Sequence, residues 1–132
     1  MPFINISLAE PSLSDTKKQQ LFDETTRLMH DVLNKNPDLT SVRIDEFSAG
    51  NWAVARRSMS ERGETAVHMD IKVTKGTNSD EEKEQMIAQG MAMLKDIIGT
   101  TPEASYIVIH DIEGVSWGYD GRTQQDRARQ MA

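Results

Sequence analysis

Residues 2–8, PFINISL, begin the chain with a strand pattern, because apolar Ile4, Ile6 and Leu8 alternate with polar residues. A period of two is typical of a β-strand that buries one face. The pattern starts directly after Pro2, so it predicts that the first residues are fixed in a sheet, whereas most termini fray. An amine on residue 2 would then be held in one place, which makes it a candidate reagent. The alternative is that Pro2 only stiffens the start of the strand.

The same pattern returns in VHMDIKV at residues 67–73, 65 positions later. The shift superposes other residues in the same register without a gap: Ser14-Asp15 on Ser79-Asp80, Lys18 on Lys83, Pro37 on Pro102, Trp52 on Trp117 and Arg57 on Arg122. Self-similarity at a fixed spacing indicates a duplicated structural unit. We therefore interpret the chain as two copies of one motif.

Each copy is predicted to fold as β-α-β. The second strands are expected at about residues 40–47 and 105–112, and Ser14 and Ser79 are candidate helix N-caps. The helices carry apolar stripes at helical spacing: Leu21, Phe22, Leu28, Met29, Val32 and Leu33 in one, and Met86, Ile87, Met91, Leu94, Ile97 and Ile98 in the other. A strand, a crossover helix and a second strand predict parallel pairing within each unit. The fold class is thus α/β (α+β), a four-stranded sheet with two helices on one face.

The length of 132 residues suits one domain made of two units, at residues 2–57 and 66–132. The charged segment 58–65 between them is interpreted as a surface linker. Apolar residues also alternate on the second face of the predicted sheet, as at Val108 and Ile112. We expect oligomerisation to cover that face.

The overall composition argues against several classes of partner. A formal net charge of -6 argues against nucleic acid and against an anionic membrane, while a few local cations still allow a small anionic substrate. The chain has no cysteine, no export signal and no apolar run that would span a bilayer, so we expect a cytoplasmic protein. His30, His68 and His110 stand far apart in sequence, and no metal site is predicted.

Met-Pro followed by a strand, a helix, a second strand and then AGNWAVA (49–55) or GVSWGYDG (114–121) resembles the tautomerase superfamily. The resemblance is to a fused, double-length member of the 4-oxalocrotonate tautomerase type and covers essentially the whole chain. It implies the β-α-β fold that the superfamily shares with MIF-like proteins. It also implies removal of Met1, a proline nitrogen that acts as general base and acid, no cofactor, and a homotrimer, with a dimer as the alternative.

The chemistry implied for Pro2 is sound in general terms. A general base works best when its pKa lies near ambient pH. An α-amino group ordinarily has a pKa of about 7.7 to 8.0, and burial or neighbouring cations lower it. An apolar wall formed by Trp52 or Trp117, with cations nearby, would supply both effects. The same cations would bind a substrate carboxylate.

The sequence departs from the family at its binding arginines. The loop position after the first strand is occupied by Ser12 and Thr77, and the repeat register places Ser41 and Tyr106 at the second position. Replacement cations lie close by. Arg43 is two residues after Ser41 and so on the same strand face. The substrate-binding candidates are Arg43, Lys72, Lys75, Trp52, Tyr106 and Trp117.

Only one catalytic amine is expected per chain, because Val67 stands where the first repeat has Pro2. The leading hypothesis is an enol–keto tautomerase of small 2-hydroxy-2,4-dienoates or 2-keto acids. The alternatives within the superfamily are a cis-3-haloacrylate dehalogenase, for which Tyr106 and Glu113 lie in the right region, and a malonate semialdehyde decarboxylase. An alternative of another class is a non-catalytic binding or structural member of the fold.

Overall fold

The computed structural model describes residues 2–9 and 13–131, with the side chain of Met131 excluded. The first repeat contains β1 (Phe3–Leu8), α1 (Asp15–Asp31), β2 (Ser41–Glu46), β3 (Ala53–Val54), β4 (Arg57–Ser58) and α2 (Met59–Arg62). The second contains β5 (Val67–Thr74), α3 (Asp80–Ile98), β6 (Tyr106–Ile112), β7 (Gly118–Tyr119), β8 (Arg122–Thr123) and α4 (Gln124–Met131). Short 3-10 turns at Pro37–Leu39 and Ala49–Asn51 complete the first repeat. The predicted β-α-β duplication is confirmed, and it continues through the hairpin and final helix of each half.

Four strands form one sheet in the order β2-β1-β5-β6. The pairs β1–β2 and β5–β6 are parallel, as predicted, and the two repeats join through the antiparallel pair β1–β5. In that pair Ile6 lies opposite Met69, and Phe3 lies opposite Lys72. The two repeats are therefore related by an approximate twofold axis, and equivalent residues lie at opposite ends of the sheet.

The core lies between the sheet and the two long helices. Alternate residues of β1 and β5 are fully buried: Ile4, Ile6, Leu8, Val67, Met69, Ile71 and Val73. The helices α1 and α3 contact each other, and they cover the sheet with Leu21, Leu28, Met29, Met86, Met93, Leu94 and Ile98, together with Leu33 from the loop after α1. Both helices thus lie on one face, and the other face carries half-buried and exposed residues such as Phe3 and Arg43.

The predicted helix caps are confirmed. The Ser14 hydroxyl accepts a hydrogen bond from the Lys17 backbone N–H at 3.2 Å. The Ser79 hydroxyl accepts one from Glu82 N–H at 3.1 Å, and the Glu82 carboxylate accepts one from Ser79 N–H at 2.8 Å. The hydrogen bond from Ser79 N–H lowers the pKa of the Glu82 carboxyl, and a hydrogen bond from the Asn78 side chain acts in the same direction. Among the described residues, no helix has the length and apolar character needed to cross a membrane.

Two features differ from the sequence-based expectations. Ile87, assigned to the apolar stripe of α3, is 43% exposed, because one residue beyond buried Met86 is about 100° around the helix. The segment 58–65, interpreted as a surface linker, contains α2 and the buried side chain of Met59. Ser58 caps this short helix, and Gly63 ends it in the left-handed conformation. The segment was interpreted as a surface linker because most of its residues are charged or polar, although Met59 is buried.

Candidate active site

Pro2 lies at the start of β1, the strand between β2 and β5, and it is buried. Its carbonyl oxygen accepts a hydrogen bond from Ser41 N–H at 3.3 Å. Neighbouring Phe3 pairs with β2 on one side and with β5 on the other. Residue 2 is therefore bonded to β2 and directly precedes a residue that is paired on both sides. Its nitrogen is an amide until Met1 is removed and a secondary amine afterwards.

Two of the sequence-based candidates lie at the same end of the sheet as Pro2. Strands β5 and β6 end there, and Lys75 N–H donates to the Ile112 carbonyl oxygen at 2.8 Å. The indole N–H of Trp117 donates to Thr74 Oγ1 at 3.2 Å. The Lys75 ammonium forms an exposed ion pair at 3.1 Å with Glu113. An exposed pair of this kind contributes little to stability, so Lys75 remains available to an anion.

Two further candidates, Arg43 and Lys72, lie on the sheet face opposite the helices. The Arg43 guanidinium carbon is 5.5 Å from the centre of the Phe3 ring, and Lys72 Nζ is 5.8 Å from it. Arg43 Nε also donates to Asn5 Oδ1 at 3.3 Å. A cavity of about 260 Å³ opens here, lined by Phe3, Asn5, Arg43, Asp70, Lys72 and His110. The two cations are thus brought together beside the residue that follows Pro2.

Trp52 and Tyr106 lie at the opposite end of the sheet. Trp52 packs against a small cluster that contains Met59 and Ala66, and its ring centre is 6.3 Å from that of Phe47. Tyr106 begins β6, is 60% exposed and lies opposite His68. These two candidates are therefore separated from Pro2 of their own chain by the length of the strands.

Sequence reasoning missed Lys35, which is only 8% exposed in the loop between α1 and β2. Its ammonium donates to Thr77 Oγ1 at 2.8 Å, so a cation lies beside one of the neutral loop positions. The other position, Ser12, lies outside the described residues. Burial lowers the pKa of Lys35, while the charges of Glu82 and Asp111 act in the opposite direction. The sequence offers one indication that Lys35 differs from a repeated surface charge, because the equivalent residue of the second repeat is the neutral Thr100.

The two ends of the sheet share an ion pair but differ in the residue at the start of the inner strand. The ion pair Lys83–Asp111, at 2.6 Å, is matched in the other repeat by Lys18–Glu46 at 2.8 Å. Pro2, by contrast, is matched by Val67, whose backbone lies within β5 and carries no terminal amine. The duplication therefore leaves one candidate amine per chain.

Comparison with known proteins identifies the fold and the family. A family model described as "Tautomerase enzyme" matches two segments of the chain, residues 2–62 and 68–127. The chain belongs to the tautomerase family. The two matched segments correspond to the two repeats, so this is a double-length tautomerase.

Similar curated proteins match one half of this tautomerase. A probable tautomerase of Dickeya dadantii is 39% identical over 66 residues, which make up 50% of this chain and 98% of that protein. A probable tautomerase of Helicobacter pylori is 41% identical over 61 residues, or 45% of this chain and 90% of that protein. These relatives are about half as long as the chain, as expected for a duplicated sequence.

Solved structures match the whole tautomerase chain. Pt0534, crystallised after inactivation by 2-oxo-3-pentynoate, superposes with a TM-score of 0.84 at 17% identity and covers 96% of this chain and 99% of its own. A fused 4-OT solved as an asymmetric trimer superposes with a TM-score of 0.83 at 18% identity and the same coverage. At this identity the likeness establishes the fold.

Proposed function

We propose that this double-length tautomerase uses the nitrogen of Pro2, freed by removal of Met1, to catalyse enol–keto tautomerisation of small anionic substrates. The observation that carries the proposal is the position of Pro2, which is buried at the start of the inner strand β1 and bonded to β2 through Ser41 N–H. Proline at this position supplies a secondary amine in a fixed direction, because its ring restricts rotation about the N–Cα bond.

In the proposed reaction the neutral Pro2 nitrogen removes the hydroxyl proton of a 2-hydroxy-2,4-dienoate. This forms a dienolate and a protonated proline. The protonated proline then donates a proton to a carbon of the dienolate, which gives the 2-keto acid and restores the neutral amine. Base and acid are one group acting in turn. The proposed reaction needs no cofactor.

The carboxylate of the substrate requires a cation close to Pro2. Lys75 lies at the Pro2 end of the sheet, and Arg43 and Lys72 lie together beside Phe3. We propose these three cations as the binding candidates, with Trp117 as an apolar wall. Positive charge beside the substrate would also stabilise the dienolate as it forms.

We further propose that the tautomerase is a homo-oligomer and that its form is a homotrimer. Fused 4-OT proteins of the same fold are described as trimers. Assembly would also cover the sheet face that carries Phe3 and Arg43. In such an assembly Trp52 and Tyr106 contribute to a Pro2 site only if that site belongs to another copy, because they lie at the far end of their own chain. A homodimer is the alternative.

The proposal predicts that purified protein, with the loss of Met1 confirmed by mass, accelerates ketonisation of 2-hydroxymuconate or phenylenolpyruvate. Absorbance at the dienol or enol band measures the rate against buffer alone. Parallel assays with 3-chloroacrylates and malonate semialdehyde test the two alternative reactions. Activity only in one of those assays would replace the tautomerase proposal with that reaction, and no activity in any assay would favour a binding role.

Covalent labelling supplies a second test. Pt0534 is inactivated by 2-oxo-3-pentynoate, an electrophilic 2-oxo acid. We propose the same compound as a probe of Pro2 in this chain. A neutral secondary amine adds to its activated triple bond, whereas a protonated amine does not.

A further inference from the structure

The strand register fixes which side chains lie on the sheet face opposite the helices, which we call the open face. Alternate residues of β1, among them Ile4 and Ile6, are buried on the helix side, so the residues between them point the other way. Residues paired across neighbouring strands share a face. The open face therefore carries Phe3, Asn5 and Ser7 of β1, Ser41, Arg43 and Asp45 of β2, His68, Asp70, Lys72 and Thr74 of β5, and Tyr106, Val108, His110 and Ile112 of β6.

Two histidines and one carboxylate form a cluster on the open face. His110 Nε2 lies 2.7 Å from Asp70 Oδ1, and His68 Nε2 lies 3.4 Å from the same oxygen. Among the described residues, Asp70 is the one acid that forms an ion pair with either imidazole. A single carboxylate can offset one positive charge, so protonation of both imidazoles leaves a second charge uncompensated.

The other neighbours of His110 are cationic. His110 lies opposite Lys72 in β5, and β6 is an edge strand, so no strand of this chain lies on its other side. The cavity beside the Phe3 ring is lined by His110, Lys72 and Arg43 together with Asp70. A proton on His110 therefore adds positive charge to a region that already holds two cations.

The neighbours of His68 supply no second ion pair. His68 lies opposite Tyr106 in β6 and opposite Ser7 in β1, and Asp45 follows one strand further, in β2. Its Nε2 is buried and forms no hydrogen bond to a described residue, with Asp70 Oδ1 as the nearby acceptor. The charge of His68 thus depends on the same carboxylate that His110 uses.

The formal charges of the open face cancel only while both imidazoles are neutral. Arg43 and Lys72 supply two positive charges, and Asp45 and Asp70 supply two negative ones. Protonation of both histidines changes the balance to two positive charges per chain. Histidine is the side chain that ordinarily changes its charge between pH 5 and 8. The net charge of the open face therefore depends on pH within this range.

Assembly of the kind proposed above would enclose the open face. The long helices cover the other side of the sheet, and fused 4-OT proteins of the same fold are described as trimers. The partner we assign to the open face is accordingly a second copy of this chain. Removing charge from water is costly, and like charges in a confined space repel each other. A face whose charges cancel is enclosed at lower cost than one with two extra positive charges per chain.

We propose that the cluster of His68, Asp70 and His110 makes assembly of this chain dependent on pH, so that protonation of the imidazoles separates the copies. The sign follows from proton linkage. Separated copies expose the cluster to water and bind protons more readily than assembled ones, so a falling pH favours separation. The inference rests on the proposed homo-oligomer and is independent of the proposed reaction.

The test is sedimentation velocity of the full-length protein in a dilution series at about pH 7.5 and about pH 5.5, at one ionic strength. The apparent dissociation constant of wild type is expected to rise about tenfold at the lower pH, because one extra proton bound on separation changes the constant tenfold per pH unit below the histidine range. The double variant His68→Gln, His110→Gln removes both titrating groups and keeps neutral polar side chains. Its constant should change by less than about twofold.

His30→Gln is the matched control. This third histidine lies on α1, away from the open face, and its side chain is 58% exposed beside Asp31. The variant should keep the tenfold rise of wild type.

An equal rise in wild type and the double variant would overturn the inference, as would an assembly that stays complete at the lower pH at every dilution. If circular dichroism shows that the double variant does not fold, the two single variants decide, and each should show a smaller rise than wild type. A protein that is a single chain at both pH values would refute the proposed homo-oligomer together with this inference. The ketonisation assay tests the proposed reaction separately.

Discussion

Pro2→Ala is expected to lower kcat/KM for ketonisation by about 100-fold, because general-base catalysis of that size requires a positioned amine and the amine of alanine is free to rotate. Alanine keeps a terminal amine once Met1 is removed, so the difference in kcat/KM between the variant and wild type measures the contribution of the proline ring. The ring fixes the direction of the nitrogen at the start of β1 and makes the amine secondary. Steady-state kinetics with 2-hydroxymuconate measure the loss.

Val67→Ala is the matched control, because Val67 occupies the position of Pro2 in the second repeat. It removes buried volume at the opposite end of the sheet and should lower stability while leaving kcat/KM within about twofold. Circular dichroism of both variants checks the fold. Equal activity of Pro2→Ala and wild type would exclude the proline mechanism.

Ile6→Ala is expected to lower the free energy of unfolding by about 3 kcal/mol, within the usual range for a large-to-small change in a core. Ile6 is fully buried and lies opposite Met69 in the antiparallel pair that joins the two repeats. The cavity therefore forms at the junction between the repeats, where both helices pack on the sheet. Urea unfolding followed by circular dichroism gives the change.

The control for this prediction is Val115→Ala, at a side chain that is 61% exposed. That change should stay within about 0.5 kcal/mol. If the protein assembles, both variants must be compared at one protein concentration, because association adds to the apparent stability. A loss below about 1 kcal/mol in Ile6→Ala would contradict the assignment of β1 and β5 as the centre of the core.

The sequence predicted the elements well because their signals are local. Alternation marked the first strand of each repeat, helical spacing marked α1 and α3, and Ser14 and Ser79 marked the starts of these helices. Each of these signals was also present twice, in one register. The strand order depends on pairing between distant segments, and no local pattern records that β1 pairs with β5 in an antiparallel sense.

The residues of the candidate site were predicted less completely. Which side chains lie near Pro2 depends on the antiparallel pairing of β1 with β5, which relates the two repeats by an approximate twofold axis. Sequence alone grouped Trp52 and Tyr106 with Pro2, and the antiparallel junction places them at the other end of the sheet. Lys35 was missed because a single lysine between Asn34 and Asn36 resembles a solvated loop charge. The partner of its ammonium is Thr77, 42 residues away in the chain.

Each chain is proposed to have one reactive amine, on Pro2. Protein free of Met1 is incubated with 2-oxo-3-pentynoate near neutral pH, and the intact mass and a peptide digest are measured. We expect one adduct per chain, located on Pro2, with loss of activity in proportion to labelling. No adduct, or an adduct on a lysine with Pro2 unmodified, would show that Pro2 is not the reactive amine.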